Sequence, residues 1–199
     1  MDNRQTMSSE RMTLIADAAI ALLGELGARG LTHRAVDAHA GLPPGSTSAY
    51  CRSRIDLLSV ALKRHAELDL ADLDHDAQQW MSAPSGLDAF VGALVARIET
   101  WLLPANRQRL VARFELFLIA SRTPELGDMV ARQREQFFEL TLAALQHLKV
   151  PNPSHATPAL MAMVDALLFG QIGRQSPPFD ATLCRDTLRH VVMMRTTSV

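Results

Sequence analysis

The chain has 199 residues, of which 48% are hydrophobic and 21% charged, and its formal net charge is −1. This composition excludes a disordered chain, and the length is sufficient to bury a core without disulfides or metal ions. The two cysteines, Cys51 and Cys184, have no spacing typical of a metal site or a disulfide framework, which favours a reducing cytoplasm.

Apolar residues recur at the three- and four-residue spacing of buried helix faces, and no strand-like alternation competes with this pattern. Met12, Ile15, Ala19 and Leu23, for example, fall on one face of the first predicted helix. The expected fold class is therefore all-α, with about nine helices. The predicted helices span residues 9–27, 32–41, 44–51, 53–73, 85–103, 106–121, 124–148, 158–174 and 180–195.

Local capping signals mark the predicted helix ends. Hydroxyl and carboxyl side chains, which accept hydrogen bonds from free N–H groups, precede several first turns. These capping residues are Thr32, Ser53, Ser85, Thr123, Thr157 and Asp180. Asp56, three residues after Ser53, completes a capping box. Pro124 and Pro158 stand at the first helical position, where proline fits best, and Gly41 suits a left-handed residue after a helix.

Two short predicted helices, 32–41 and 44–51, are joined by a glycine-containing turn and follow a longer amphipathic helix. This is the outline of a helix-turn-helix unit. On the second short helix, Thr47 and Cys51 are four residues apart and are expected to face inward. The rest of its surface is small, polar and free of carboxylates, as a helix that enters a major groove requires. That surface consists of Gly45, Ser46, Ser48 and Tyr50.

Cations flank this surface. Arg34 precedes it, while Arg52 and Arg54 follow it, and all three suit contacts with phosphates. Thr32 begins a helix whose first N–H groups can bind an anion. The first 64 residues contain eight Lys and Arg against six Asp and Glu, whereas the remainder contains twelve against fifteen. The small basic excess thus lies on the side of the predicted polyanion site.

The segment LTHRAVDAHAGLPPGSTSAYCRSRIDLL resembles the N-terminal helix-turn-helix of the TetR (tetracycline-repressor-like) family of transcriptional regulators. The matching positions are Thr32, Arg34, Val36, Ala40, Gly41, Leu42, Gly45, Ser46, Tyr50, Ser53, Arg54, Leu57 and Leu58. The resemblance implies that DNA is contacted by Thr32, Arg34, Pro44, Gly45, Ser46, Ser48, Tyr50 and Arg54. It also implies a DNA-binding domain at residues 8–58 and a helical effector-binding and dimerisation domain at residues 59–199.

Three residues depart from the family pattern. Asp37 stands where the family usually has alanine, so its carboxylate is expected either to turn to solvent or to pair with a cation such as Arg34. Cys51 replaces an aromatic anchor, and Ser48 replaces a frequent tyrosine. We interpret Cys51 as a small buried plug, and the alternative is a redox sensor near the DNA surface.

In regulators of this family the remaining helices hold a small-molecule pocket, and the last two long helices pair two subunits. The resemblance therefore implies a homodimer and a small-molecule effector. The candidate ligand-binding residues are Trp101, Phe114, Phe117, Leu118 and Phe137. The alternative for each of them is an ordinary place in the helix core. The segment 160–172 is apolar around much of its circumference, as expected for a helix buried on more than one side.

One acidic stretch has the spacing of a metal site. His65, Asp69, Asp72 and Asp76 fall on one helix face and offer nitrogen and oxygen ligands. The alternative, which we prefer, is a solvated acidic face, because surface carboxylates are common. We accordingly predict no metal ion and no cofactor.

We predict a ligand-responsive DNA-binding regulator, a repressor that binds a palindromic double-stranded operator and is released from it by a small molecule. The alternative, suggested by Asp37 and the weak basic excess, is a helical ligand-binding or protein-interaction module that does not read DNA. No catalytic motif is recognisable, so we expect no enzyme. With no signal peptide and no run of eighteen apolar residues, we expect a cytoplasmic protein without a membrane partner.

Overall fold

The computed structural model describes residues 3–81, 86–173 and 177–194. In these ranges the chain forms nine α-helices and a short 3-10 helix, with no strand, so the predicted all-α class is confirmed. The α-helices are α1 (Asn3–Gly30), α2 (His33–His39), α3 (Ser46–Tyr50), α4 (Arg54–Met81), α5 (Leu87–Leu102), α6 (Arg107–Ala120), α7 (Pro124–His147), α8 (Pro153–Gly170) and α9 (Ala181–Met193), and the 3-10 helix is Pro104–Asn106. None of these helices is long and apolar enough to cross a membrane.

Several predicted helix ends are found in the structure. The Ser53 and Asp56 side chains each accept a hydrogen bond from the other residue's backbone N–H, at 3.1 and 2.9 Å, which forms the capping box at the start of α4. α7 begins at Pro124, and the Asp180 carboxylate accepts bonds from the N–H groups of Thr182 and Leu183 in the first turn of α9. α1 continues to Gly30 but is interrupted at Gly27, where φ is 67°.

Three predicted helix boundaries were wrong. α1 begins at Asn3 instead of residue 9, and α4 extends to Met81 instead of residue 73. The predicted cap Ser85 lies outside the described residues. α8 begins at Pro153, not at Pro158. The Thr157 hydroxyl, predicted to cap this helix, instead donates to the Pro153 carbonyl at 2.8 Å from inside the first turns.

Two compact units divide the chain. The first contains Met1–Asp69 and Ala105–Arg132, and the second contains Leu70–Pro104 and Gln133–Val199. α6 therefore belongs to the same unit as the helix-turn-helix. The predicted boundary between a DNA-binding and an effector-binding domain, at residues 58 and 59, stays a prediction. The two compact units are defined by packing and not by function.

The core of the first unit forms where α1, the two short helices, the start of α4 and α6 converge. Its fully buried side chains include Ile15, Leu23, Leu31, Leu57 and Leu116. α6 packs very closely on α1 at Gly24, where an added Cβ would lie 2.0 Å from the Gln108 carbonyl oxygen. Only glycine permits this approach, because the nearest atoms belong to the backbone and not to a flexible side chain.

The second unit has a core of its own. α5, α8 and α9 contact one another within it. Ile98, Leu145, Leu168, Leu188 and Val192 are almost completely buried there. α8 nevertheless keeps apolar surface exposed, because Phe169 is 60% accessible to solvent. Other described residues thus bury only part of the apolar surface of segment 160–172.

Candidate nucleic-acid interface

α2 and α3 form the predicted helix-turn-helix. The Thr32 hydroxyl accepts a hydrogen bond from the Ala35 N–H at 3.1 Å and caps the start of α2. After α2 the chain reverses through Gly41, whose φ of 65° is the left-handed conformation that glycine adopts without strain. The Leu42 N–H closes the helix end by donating to the Asp37 carbonyl at 2.8 Å. A second left-handed glycine, Gly45, with a φ of 87°, leads into α3.

α3 turns Thr47 and Cys51 inward, as expected, and both are completely buried. Pro44, Gly45 and Ser48 are exposed, so the small polar face predicted for DNA does face solvent. Burial raises the pKa of the Cys51 thiol, and the neighbouring Asp56 raises it further. The Cys51 side chain lies in the core of the first unit, which agrees with the interpretation as a plug.

Other predicted contact residues have roles within the motif. The Ser46 hydroxyl donates to the Pro43 carbonyl at 2.6 Å. Tyr50 is half-buried and packs against the core. Arg34 is exposed at the start of α2. These positions leave Arg34 as the predicted contact whose charge is most available to a phosphate.

Arg54 occupies a different place from the one expected. Its guanidinium donates to the carbonyl of Leu31 at 2.5 Å and to that of Ala28. Ala28 lies in the last turn of α1 and Leu31 directly after it, where carbonyl groups have no partner inside the helix. Arg54 thus joins the start of α4 to the end of α1, and its contact with DNA stays a prediction.

The observed position of the Asp37 side chain contradicts both orientations expected from the sequence. The side chain is 4% exposed, so it does not turn to solvent, and Arg34 is not its partner. One carboxylate oxygen accepts from the Gly45 N–H at 2.7 Å, and the other from the N–H and hydroxyl of Thr47 at 2.7 and 2.6 Å. Burial opposes ionisation, but these hydrogen bonds, with the nearby His33, lower the pKa of the carboxyl.

The acidic stretch on α4 is neither a metal site nor a solvated face. Asp69 is 3% exposed and binds Arg113 and, at 2.5 Å, Arg109. His65 lies 3.4 Å from the same carboxylate. Burial raises the pKa of Asp69, but His65 and the two arginines outweigh it and hold that pKa well below its usual range. In the described residues no group of three or more His, Cys, Asp or Glu side chains is placed to hold a metal ion.

The other two carboxylates of that stretch lie in the second unit. Arg97 donates two hydrogen bonds of 2.6 Å to Asp76 and lies 3.5 Å from Asp72. The Trp101 indole N–H donates to Asp72 at 2.8 Å. The predicted solvated face was wrong because the arginines that pair with it come from α5 and α6, far along the chain.

The candidate ligand-binding residues do not all fall in one unit. Phe114, Phe117 and Leu118 belong to the first unit, whereas Trp101 and Phe137 belong to the second. Phe114 and Phe117 meet edge to face with ring centroids 6.2 Å apart, while Leu118 is 53% exposed. The Trp101 indole N–H binds Asp72, which also pairs with Arg97.

Sequence reasoning missed Trp80, near the end of α4. Its ring meets Phe90 and His147 edge to face, with centroids 5.7 and 5.8 Å away. The indole nitrogen is buried and has no hydrogen-bond partner among the described residues. A buried unpaired donor is rare, because leaving it unsatisfied costs about 1–3 kcal/mol. The aromatic composition was visible in the sequence, but the unpaired N–H was not.

The geometry defines a DNA-binding unit of the helix-turn-helix class in an all-α chain. Residues 85–194 match the tetracyclin repressor-like C-terminal domain. A TetR family member from Streptomyces coelicolor A3 has a similar structure, with 30% identity and a TM-score of 0.72 over 92% of this chain and 98% of that chain. No curated protein sequence matches the chain.

Two further solved structures are similar. The multidrug binding protein EbrR, complexed with imidazole, shares 29% identity at a TM-score of 0.67, over 94% of this chain and 93% of that one. A transcriptional regulator from Rhodococcus sp. Rha1 shares 19% identity at a TM-score of 0.74, over 91% and 93%. The chain belongs to the TetR family of transcriptional regulators. It is thus a DNA-binding regulator of a generally ligand-responsive and typically non-enzymatic family.

Proposed function

We propose that the protein is a homodimeric repressor that binds a palindromic operator and leaves it when a small molecule binds the helices after the helix-turn-helix. The observation that carries this proposal is α3, whose exposed face is small and free of carboxylates, while the Asp37 carboxylate bound to its first turn is buried and satisfied. A satisfied Asp37 removes the main reason for a module that does not read DNA.

The proposed DNA contacts divide into two kinds. Thr32 and Arg34 lie at the start of α2 and suit phosphate binding, since a helix N-terminus and a guanidinium both favour anions. Pro44, Gly45, Ser46, Ser48 and Tyr50 belong to the turn and α3, which would approach the bases. We assign Arg54 mainly to anchoring α4 on the end of α1, because two of its donors already bind carbonyls.

Dimerisation through α8 and α9 is supported by their exposed apolar residues. Phe169 on α8 is 60% exposed, and Leu183 and Met193 on α9 are 63% and 45% exposed. Apolar side chains on the last two helices are what a second copy would cover. Two copies would also match a palindrome whose half-sites lie about one DNA turn, ~34 Å, or a multiple of it apart.

We propose a planar aromatic molecule with a hydrogen-bond acceptor as the class of effector. Trp80 supports this choice, because its rings favour edge and face contacts and its buried N–H lacks a partner among the described residues. EbrR has been crystallised with malachite green, proflavin and ethidium, which are aromatic dyes. Trp101, Phe114, Phe117, Leu118 and Phe137 stay candidate contacts.

Release from DNA requires that the effector prefer one conformation. A ligand with equal affinity for the DNA-bound and free forms would shift nothing, however tightly it bound. α4 carries residues of both compact units and is the proposed lever between them.

The DNA test uses the full chain and a random-sequence library of DNA duplexes. The expected result is enrichment of a palindrome, with a Kd that rises steeply with salt. Arg34→Ala should reduce the slope of log Kd against log salt by about 1, as for loss of one phosphate contact. Arg132→Ala, which removes an exposed arginine from α7, is the matched control and should leave the slope unchanged. Failure to enrich any sequence would contradict the proposal.

The effector test titrates quinoline, a planar aromatic molecule whose ring nitrogen accepts a hydrogen bond, first into the free protein and then into its complex with the enriched duplex. Binding to the free protein, measured by calorimetry, and release of the duplex are the expected results. Trp80→Phe keeps an aromatic ring but removes the N–H, so it should weaken acceptor-bearing ligands without affecting DNA binding. Equal affinity in both variants would exclude the indole N–H from the site.

A further inference from the structure

We infer that Asp37 is a positioning residue for DNA recognition, and that its bonds to Gly45 and Thr47 set the placement of α3 against α2. This role rests on the proposed function, because it presumes that α3 reads DNA.

The three hydrogen bonds connect residues eight and ten positions apart. They run from the middle of α2 to the first residues of α3, so they fix two elements relative to each other. Asp37 is 4% exposed and Thr47 is completely buried, so water competes little for these bonds. We call this arrangement the Asp37–Thr47 clamp.

α3 needs external support. It has five residues, and a helix of this length is not stable by itself in water. Its N-cap residue is Gly45, which makes no side-chain capping bond. Asp37 supplies from α2 the acceptor that a serine or aspartate at the N-cap would normally provide. The Cys51 N–H, bonded to the Thr47 carbonyl at 2.8 Å, holds the other end.

Breaking the clamp leaves buried groups unsatisfied on either side. Without Asp37, the Gly45 and Thr47 amides lose their shared acceptor. Without the Thr47 hydroxyl, a buried carboxylate loses one of three donors. The chain would recover these bonds by moving α3 toward water or by turning Asp37 outward, and either movement displaces the small exposed face.

Displacement of α3 has a consequence for recognition beyond stability. Gly45, Ser46 and Ser48 lie within one helical turn of Thr47, so they move with it. Hydrogen bonds to base edges tolerate only a few tenths of an ångström before they weaken. The clamp should therefore control operator affinity and the discrimination between the operator and other sequences.

The experiment compares four variants of the full chain on the duplex enriched by the wild type. Thr47→Val removes only the hydroxyl, while Thr47→Ser keeps it. Asp37→Asn replaces one carboxylate oxygen by an NH₂ group, which then faces a backbone N–H of Gly45 or Thr47, so two donors oppose each other. Leu126→Ala removes a buried side chain from α7 of the same unit and controls for lost stability. Circular dichroism confirms that each variant is folded at the temperature of the binding assay.

The measurements are the Kd for the enriched duplex and the Kd for a scrambled duplex of the same length. Asp37→Asn and Thr47→Val should raise the first Kd by about tenfold or more, as for loss of one good hydrogen bond to bases, and should leave the second, which depends on phosphate contacts, near the wild-type value. Thr47→Ser should restore a near wild-type Kd for the enriched duplex. Leu126→Ala should lower the melting temperature and leave both Kd values unchanged.

Two results would overturn the role, and they are distinguishable. If Asp37→Asn and Thr47→Val lower the melting temperature like Leu126→Ala but keep the wild-type Kd for the enriched duplex, the clamp is structural only. If the wild-type chain enriches no duplex, the proposed function itself fails, and the positioning role fails with it.

Discussion

The helix-turn-helix and the second compact unit are ordered by different means. In the first, helices of seven and five residues are held by two left-handed glycines, a capping threonine and a buried carboxylate. In the second, helices of 16 and 18 residues, α5 and α8, bury apolar faces against one another and against α9. Short elements thus depend on individual polar bonds, whereas long ones depend on summed apolar burial. A single polar substitution should therefore have a larger effect in the first unit.

The largest difference is expected for two carboxylates that each bind arginine. Asp69→Ala removes the buried carboxylate that binds Arg109 and Arg113 and should lower the free energy of unfolding by about 3–5 kcal/mol. Asp165→Ala in the second unit breaks a partly exposed pair with Arg134 and should cost about 0–1 kcal/mol. Urea denaturation of both variants measures this difference. Equal losses would remove the contrast between the units.

A second comparison uses two glycines. Gly24→Ala forces a Cβ against the Gln108 backbone and should cost about 1–3 kcal/mol or more, because α6 must move away from α1. Gly170→Ala, at the end of α8, places a Cβ with no atom of the described residues within 4 Å. The second substitution should be neutral or slightly stabilising in the same denaturation assay. If Gly24→Ala is equally neutral, α1 and α6 do not pack as described.

Acid should destabilise the first unit by protonating two buried carboxylates, Asp37 and Asp69. The pKa values of Asp37 and Asp69 are lower in the folded protein than in the unfolded chain. Their stabilisation is therefore complete above the ordinary carboxyl pKa, about 3.9, and is lost as the pH falls below it. Unfolding free energies measured from about pH 6 to pH 2 should decline more steeply for the wild type than for Asp37→Asn. Parallel curves would argue against an ionised Asp37.

The smallest effect concerns the second unit. Asp180→Ala removes the cap that accepts from the Thr182 and Leu183 N–H groups, and should cost about 1 kcal/mol. Asp186→Ala removes the same charge from an exposed position inside α9, so its effect should stay within about 0.5 kcal/mol. Thermal denaturation of the two variants separates the cap from the charge. A loss above about 2 kcal/mol for Asp180→Ala would show that short polar bonds matter equally here.

Local signals explain which features were predictable from sequence. The turn at Gly41, the capping box at Ser53 and the cap at Asp180 involve residues within five positions of each other, so their chemistry is visible in a short segment. The start of α8 was misjudged because two prolines, Pro153 and Pro158, offer competing first positions. Asp37 and Asp69 were misjudged because their partners lie 10 and 40 or more residues away in sequence.

The two buried thiols have a practical consequence. Cys51 and Cys184 are 0% and 1% exposed, and burial raises the pKa of each, so few thiolates are available to an alkylating reagent at neutral pH. The two thiols of the native chain should therefore react very slowly with maleimide dyes. A cysteine introduced by Ser48→Cys on the exposed face of α3 would react alone, and the rate of its labelling would report directly whether DNA covers that face.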